Sequence, residues 1–268
     1  MPVISKITVQ KKNKERYNIY IEDVYSFSVD EAVLINFQLR KGTEVTKELL
    51  EQVMEEDSIR KGYGLAINFL SYRMRSIKEV SDYLIKKDLE LETVQIILKK
   101  LIDENYLNDQ EFAQAFVQSR VNLSLKGPEI IKRELLEKGV GEVDINNSLR
   151  HFSHEQQLEK ALSFLMKKYP RTLKTSRAEQ DKKIYLLLFS KGFSHEVVQQ
   201  AFTEFYKEQE EDNSEWEAIK AQGAKALKKY QAFSDWERKQ KMKQFLYRKG
   251  FSFEMIDKVL EYIENEGE

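Results

Sequence analysis

The apolar positions of this chain fall into two regimes. At the start they alternate. Val3, Ile4, Ile7 and Val9 form a β-prone run that ends at the polar QKKNKER of residues 10–16. Tyr17, Ile19 and Ile21 then alternate with Asn18 and Tyr20. A period of two marks strands with one buried face, so this stretch predicts a hairpin with a basic turn, and a third short strand follows over residues 25–29. Asp30 is placed to cap a helix through Leu34 and Phe37. Gly42 breaks that helix, and Thr46 caps a shorter one carrying Leu49, Leu50 and Val53.

From near Ile59 the period lengthens to that of helices. Tyr63, Ala66, Ile67, Leu70 and Met74 share one helical face, and Ser76 with Glu79 is a capping box for the next helix, whose apolar face is Ile77, Val80 and Leu84. On its outer face Lys78, Asp82 and Lys86 have the i, i+4 spacing of self-pairing charge. Leu91, Val94, Ile97, Leu98 and Leu101 give a third helix. The same triplet then recurs. Asn108 with Glu111 opens the second, and Gly127-Pro128 divides its first two helices, with Ile131, Leu135 and Leu136 carrying the next. Ser153 with Gln156 opens the third, where Leu158, Leu165 and Met166 lead to a break at Tyr169-Pro170 and Tyr185, Leu188 and Phe189 resume after an insertion. Trp216, Ile219 and Leu227 lie in the fourth.

One register ties the triplets together. Lys87-Asp88-Leu89, Lys138-Gly139-Val140, Lys191-Gly192-Phe193 and Lys249-Gly250-Phe251 are spaced by 51, 53 and 58 residues. Five positions after each apolar anchor stands Val94, Ile145, Val198 or Ile256, and nine positions after stands Leu98, Leu149, Phe202 or Leu260. Gly at three of the four anchors predicts a left-handed helix C-cap, and Asp88 predicts a strained or differently shaped turn. The expected fold is mainly α: an elongated, curved array of four three-helix modules after a small β-rich N-terminal domain. The expected divisions are 1–59 for that domain, then 60–103, 104–152, 153–207 and 208–268, the last opening with the acidic linker at 207–215.

Composition narrows the function. The net charge is −1, with 33% charged residues, 10 Gly, 3 Pro and no Cys. The absence of Cys excludes disulfides and thiolate chemistry and suits the cytoplasm. No apolar run reaches about 20 residues, and the N-terminus lacks a secretory core. There is no Walker loop, dinucleotide fingerprint or GxSxG, so no catalytic residue, cofactor or metal site is assigned and an enzyme is not expected. Lys61-Gly62-Tyr63-Gly64 lacks the context of a phosphate loop, and His151-x-x-His154 lacks a third zinc ligand. Charge is uneven: residues 60–101 carry 9 basic against 5 acidic residues, and residues 207–215 one Lys against five acids.

The stretch from AINFLSYRMRSIKEV to KGPEIIKRELLEKGV resembles the RecX family, regulators of the bacterial RecA recombinase. The carrying residues are Arg73, Arg75-Ser76 before Glu79, Leu101 with Tyr106-Leu107-Asn108-Asp109, Phe112-Ala113, Gly127, Glu134-Leu135 and Lys138-Gly139. The resemblance is strong over residues 60–150 and looser over 155–265, and the chain looks like the longer Gram-positive type. It implies a cytoplasmic, monomeric modulator in DNA repair, recombination and the SOS response. Such a protein binds the RecA–DNA filament, lodges in its groove, suppresses ATP hydrolysis and strand exchange, and promotes filament loss. The cations expected to face the filament are Arg73, Arg75, Lys86, Lys87, Arg120, Lys126, Lys132 and Arg133. Weak direct DNA contact can accompany this. The competing readings are a helical nucleic-acid binder, with aromatics near basic runs at Tyr169-Pro170-Arg171 and Lys228-Lys229-Tyr230, and a non-catalytic helical scaffold.

Overall fold

The computed structural model describes residues 2–11, 13–169, 175–207 and 214–266. The chain divides into two compact units, Met1–Gln114 with Leu135–Ile145, and Ala115–Glu134 with Asn146–Glu268. Pro170 with most of the insertion after it, and the core of the acidic linker, lie outside the described residues.

The first unit opens with the expected sheet. Strands β1 (Ile4–Val9), β2 (Arg16–Ile21) and β3 (Val24–Asp30) pair antiparallel in that order. Glu22 and Asp23 join β2 to β3 with φ of 49° and 61°, the doubly left-handed two-residue turn whose twist matches the strands. Alternation buries Ile4, Ile19, Phe27 and Val29 against Val33 of α1 (Glu31–Asn36) and Val53 of α2 (Lys47–Leu70). Both outer strands are partly occupied. On β1, Ile4 N–H donates to the Thr43 carbonyl at 3.0 Å and the Ile4 carbonyl accepts from Gly42 N–H at 2.8 Å. On β3, Asp30 N–H donates to Asp57 Oδ1 at 2.7 Å, while Arg16 Nη2 donates to the Ser28 carbonyl at 2.9 Å and to Asp57 Oδ2 at 2.7 Å. A bare strand edge is a template for foreign strands, and this ion pair occupies the end of one.

One expectation fails here. The short helix after Thr46 and the first helix of the array are one continuous element, α2, and the division at 59/60 falls inside it. Residues 47–61 contain neither Gly nor Pro, so nothing in the sequence stops the helix. Gly62 is tolerated for a packing reason. A Cβ there would sit 2.5 Å from both Ile97 Cδ1 and Leu89 Cδ2, so its absence lets the third helix of the module approach closely.

From α2 onward the helices come in threes. Module 1 is α2, α3 (Ile77–Ile85) and α4 (Leu91–Asp103). Module 2 is α5 (Asp109–Leu123), α6 (Pro128–Glu137) and α7 (Glu142–Leu149). Module 3 is α8 (His154–Lys168), α9 (Arg177–Ser190) and α10 (His195–Lys207); module 4 is α11 (Ser214–Tyr230), α12 (Asp235–Arg248) and α13 (Phe253–Glu266). The capping boxes form at Ser76 with Glu79 and at Ser153 with Gln156, and Asn108 Oδ1 accepts from the N–H groups of Gln110 and Glu111. Val94, Ile145, Val198 and Ile256 are fully buried, as the register requires. Met74, Leu91, Leu136, Met166 and Phe189 are exposed instead. Met74 lies past the end of α2, and the others stand on the solvent side of their helices. Glu215 is not linker: it lies in α11 and accepts from Arg177 N–H at 2.9 Å.

The anchors share one geometry. Asp88, Gly139, Gly192 and Gly250 all have left-handed φ, at 61°, 79°, 86° and 83°. In each, the anchor N–H reaches back to a carbonyl three residues earlier (Ile85, Leu136, Phe189, Tyr247). The N–H of the next residue reaches back five, to Leu84, Leu135, Leu188 or Leu246. This is the Schellman closure, and it folds Leu89, Val140, Phe193 or Phe251 back toward the core. The Asp88 turn therefore has the same shape as the others, carried by a residue for which left-handed backbone costs about 1–2 kcal/mol.

The three glycine turns are also joints. In the first unit, Ser76 Oγ, at the N-cap of α3, donates to the Lys138 carbonyl at 2.7 Å. In the second unit, Ser176 Oγ, at the N-cap of α9, donates to the Lys249 carbonyl at 2.7 Å. At the third joint the hydroxyl is replaced by backbone: Gly127 N–H donates to the Lys191 carbonyl at 2.7 Å and Glu129 N–H to the Gly192 carbonyl at 3.2 Å. The approach is tight. A Cβ on Gly139 would meet Lys78 Cβ at 2.7 Å, one on Gly192 the Ile130 nitrogen at 2.7 Å, and one on Gly250 Ser176 Oγ at 2.6 Å. Asp88 is exposed, and its side chain stands in solvent.

A half-buried carboxylate reinforces the first joint. Glu79 accepts from Arg73 Nη2 at 2.9 Å, Lys138 Nζ at 2.9 Å and Ser76 N–H at 3.2 Å. Burial pushes its pKa up, but those hydrogen bonds outweigh burial and hold it down at about 2. Lys78, expected to pair with Asp82, instead donates to the Glu137 carbonyl at 3.0 Å and closes the end of α6.

Two outcomes follow from these contacts. Gly192→Ala should lower stability by about 2 kcal/mol or more, from left-handed strain plus contact with backbone. Asp88→Gly should change it by less than about 1 kcal/mol. Urea midpoints of the two variants check this, and equal destabilisation would refute the joint as the reason for glycine. Glu79→Gln should cost about 1–2 kcal/mol near neutral pH. Because the folded pKa lies below the usual 4.5, that advantage is complete above about pH 5 and fades as pH falls toward 2. Stability curves of native and variant protein should therefore converge over that acid window, and a constant gap would show that the charge is not responsible.

Candidate functional site

The eight expected cations divide into two kinds. Four are built into the fold. Arg73 holds Glu79 and donates to the Met74 carbonyl at 2.8 Å. Arg75 lies with its guanidinium 4.0 Å from the Phe69 ring centre, and burial followed by the neighbouring Arg73 charge pushes its pKa down. Arg120 Nε donates to Glu134 at 2.8 Å and its guanidinium covers the Phe116 ring at 4.5 Å. Lys126 bonds the other oxygen of Glu134. Burial raises the Glu134 pKa, but the hydrogen bonds from Lys126 and Arg120 prevail and lower it. These four fix turns and helix pairs.

Lys86, Lys87, Lys132 and Arg133 differ. Among the described residues none has a carboxylate within salt-bridge distance; Lys86, Lys87 and Arg133 are exposed, and Lys132 is half-buried. Lys86 and Lys87 end α3, and Lys132 and Arg133 lie within α6. Half of the expected set is thus outside the salt bridges of the described residues.

The repeat brings other residues to equivalent places. Five residues before each left-handed position stand Tyr83, Glu134, Leu187 and Phe245, and one residue before it stands a lysine in every module. In module 1, Tyr83 stacks on Phe69 at 4.1 Å between ring centres and 6° between planes, and Lys87 lies 5.6 Å from the Tyr83 ring. In module 2 the position holds Glu134, neutralised by its two cations. In module 4 it holds Phe245, where aromatics and lysines gather most densely. Lys229 lies 5.3 Å from the Tyr230 ring and 5.7 Å from that of Phe245, Lys249 lies 5.9 Å from Phe245, and Lys241 lies 4.5 Å from Phe233. Each contact has the geometry of a cation over a ring face.

This fourth-module cluster was absent from the expected set. Lys228-Lys229-Tyr230 hinted at it, and the anchor register places Phe245 and Lys249 beside each other. Only the fold of α11 against α12 brings Tyr230 and Phe233 to them. The other aromatic–basic run, at residues 169–171, falls largely outside the described residues. His154 lies in α8 and its Nε2 is 2.8 Å from Gln200 Oε1. No group of three metal-ligating side chains is assembled among the described residues, and no described helix is long and apolar enough to cross a membrane.

Comparison with known proteins places these features in one lineage. The RecX regulatory protein N-terminal domain matches residues 2–46, and the first and second RecX three-helix domains match residues 63–101 and 108–149. The third RecX three-helix domain matches twice, over 155–202 and 213–260, so modules 3 and 4 are of one kind. The regulatory protein RecX of Halalkalibacterium halodurans is 46% identical, over 97% of this chain and 99% of its own, and that of Bacillus subtilis is 41% identical, over 97% and 98%. A crystal structure of regulatory protein RecX aligns with a TM-score of 0.53 at 30% identity, covering 97% of this chain and all of that one. The RecX crystal structure from Lactobacillus salivarius aligns over 56% of this chain and 97% of its own, with a TM-score of 0.54 at 34% identity. Matches to every module and to the N-terminal domain, along nearly the whole chain, establish that the chain belongs to the RecX family of regulatory proteins.

Proposed function

We propose that this chain regulates RecA by binding the RecA–DNA filament, slowing its ATP hydrolysis and strand exchange and shifting filament stability, and that it does so as a cytoplasmic monomer. One observation carries this reading beyond family membership: a lysine recurs one residue before the left-handed turn in all four modules, and of these only Lys138 is held by a described carboxylate, Glu79. A filament is a polymer and presents the same groups at each protomer. A chain that repeats its own surface is suited to several weak contacts on such a partner, and their sum gains from the high effective concentration of linked sites. Lys86 and Lys87 on module 1, with Lys132 and Arg133 on module 2, supply cations that no carboxylate among the described residues pairs with. Such exposed charges act mainly on the rate and specificity of encounter.

The test is RecA's DNA-dependent ATPase at rising concentrations of this protein, with filament length followed in parallel. The intact chain should inhibit. The variant Lys86→Glu, Lys87→Glu, Lys132→Glu, Arg133→Glu should need about tenfold more protein for the same inhibition while keeping its helicity, given several reversed rim charges of up to about 1 kcal/mol each. Reversal of Arg73 or Arg120 should instead lower the unfolding midpoint, since both neutralise half-buried carboxylates. Unaltered inhibition by the fourfold variant would remove these residues from the filament contact. No effect of the intact chain on RecA would overturn the function.

A further inference from the structure

The cation–aromatic cluster of module 4 lies at the edge of that module's core. Its core is Ile219, Met242, Leu246, Phe251, Ile256, Val259 and Leu260, and Tyr230 and Phe245 lean on this core from outside. Phe233 is 41% exposed, and Trp236, three residues on in the first turn of α12, is 73% exposed. The rings are contiguous: Tyr230 lies 6.2 Å from Phe233 and 6.4 Å from Phe245, at 61° and 74° between planes. Lys229, Lys241 and Lys249 are interleaved with them. Among the described residues none of these three lysines is in a salt bridge, although Lys239 and Lys243 on the same helix are paired with Glu264 and Asp257. The nearby carboxylates are occupied as well. Asp235 is paired with Arg238, and Glu237 accepts from Ser234 N–H and Oγ in the capping box.

We infer that this cluster is a binding platform for single-stranded nucleic acid, contacted directly and without RecA. Three ammonium groups without a salt bridge among the described residues offer positive charge to phosphates. The exposed rings of Phe233 and Trp236 beside them match bases, since every base has a flat face whatever its identity. A duplex would satisfy only the lysines, because its bases are stacked on one another. An acidic peptide would likewise leave the rings idle. The platform is small, so contact on this surface alone is weak, without sequence preference, and sensitive to salt. The corresponding position of module 1 holds Tyr83, which is half-buried and stacked on Phe69, and in module 2 Glu134 replaces the ring. Module 4 alone among these three offers both open rings and unpaired lysines.

The experiment is fluorescence anisotropy of a labelled oligothymidylate with the full chain, RecA absent, across a salt series. For three neutralised phosphates, log K should fall against log salt with a slope of about −2 from this cluster. The variant Lys229→Gln, Lys241→Gln, Lys249→Gln should bind at least about tenfold more weakly at low salt and lose most of that slope. Phe233→Ala should weaken binding by about fivefold or more with the slope unchanged, because stacking is not screened. Phe233→Trp should restore it. A blunt duplex of equal length should bind more weakly than the single strand. The proposal is overturned if the single strand does not bind at low salt, if the triple variant binds as the native chain does, if the duplex binds equally well, or if polyglutamate displaces the oligonucleotide as readily as unlabelled single strand does. Circular dichroism of each variant guards the comparison, since all four substituted side chains stand outside the module core. The result is independent of RecA inhibition: loss of one reading leaves the other standing.

Discussion

Each joint in this protein depends on a peptide carbonyl at a left-handed turn. A helix that ends in a Schellman closure leaves the carbonyl of its last residue pointing outward, beside a residue that must carry little or no side chain. Here that carbonyl is the acceptor for the start of another helix. Ser76 and Ser176 are completely buried, and each hydroxyl both donates to such a carbonyl and accepts from a helix N–H. A buried hydroxyl without partners would be costly, so the two functions of the side chain depend on each other. Capping the helix places the oxygen, and the joint uses its proton. Small modules of about 50 residues bury too little apolar surface to be secure alone, and polar joints of defined geometry supply specific attachment beside the apolar cores.

The choice of residue at each turn follows from this arrangement. Among the four anchors, glycine is found where atoms of another helix's first turn come within van der Waals reach, and aspartate where the residue is exposed to solvent. Gly127 is the same logic from the opposite side: at that joint the approaching N-cap itself has no room for a side chain, because a Cβ would lie 2.3 Å from the Gly192 oxygen. The backbone N–H then replaces the serine hydroxyl. At Ser234, in contrast, the capping box persists but the hydroxyl donates to Glu237 of its own helix, and the residue is exposed. Local serine capping is thus shared by Ser76, Ser176 and Ser234, and the extra hydrogen bond is added where a neighbour exists.

Much of this was legible in the sequence. The anchor spacing, the capping pairs and the positions five residues beyond each anchor report short-range rules, and short-range rules survive without tertiary information. Strand alternation in the first thirty residues did the same for the sheet. What could not be read was whatever depends on distant partners. The continuity of α2 was missed because Gly42 and Thr46 look like boundaries and residues 54–58 are polar apart from Met54, whereas Asp57 is buried by Arg16 from a strand. The role of Glu215 was hidden in an acidic run. Of the eight cations, Arg73, Arg75, Arg120 and Lys126 could not be told from the other four, because Glu79, Phe69, Glu134 and Phe116 become their partners only through folding. The module 4 cluster escaped for the same reason: its rings look like core residues when counted along one helix.

The unbroken α2 has a mechanical meaning. Its 24 residues amount to about 36 Å of rigid rod, with Asp57 fastened to the sheet near its middle and Gly62 wedged against α4 a turn and a half later. A flexible tether would let the β-domain wander relative to the first triplet. A shared rod transmits bending and torsion, so a displacement imposed on the sheet at one end is felt as a tilt of α4 at the other.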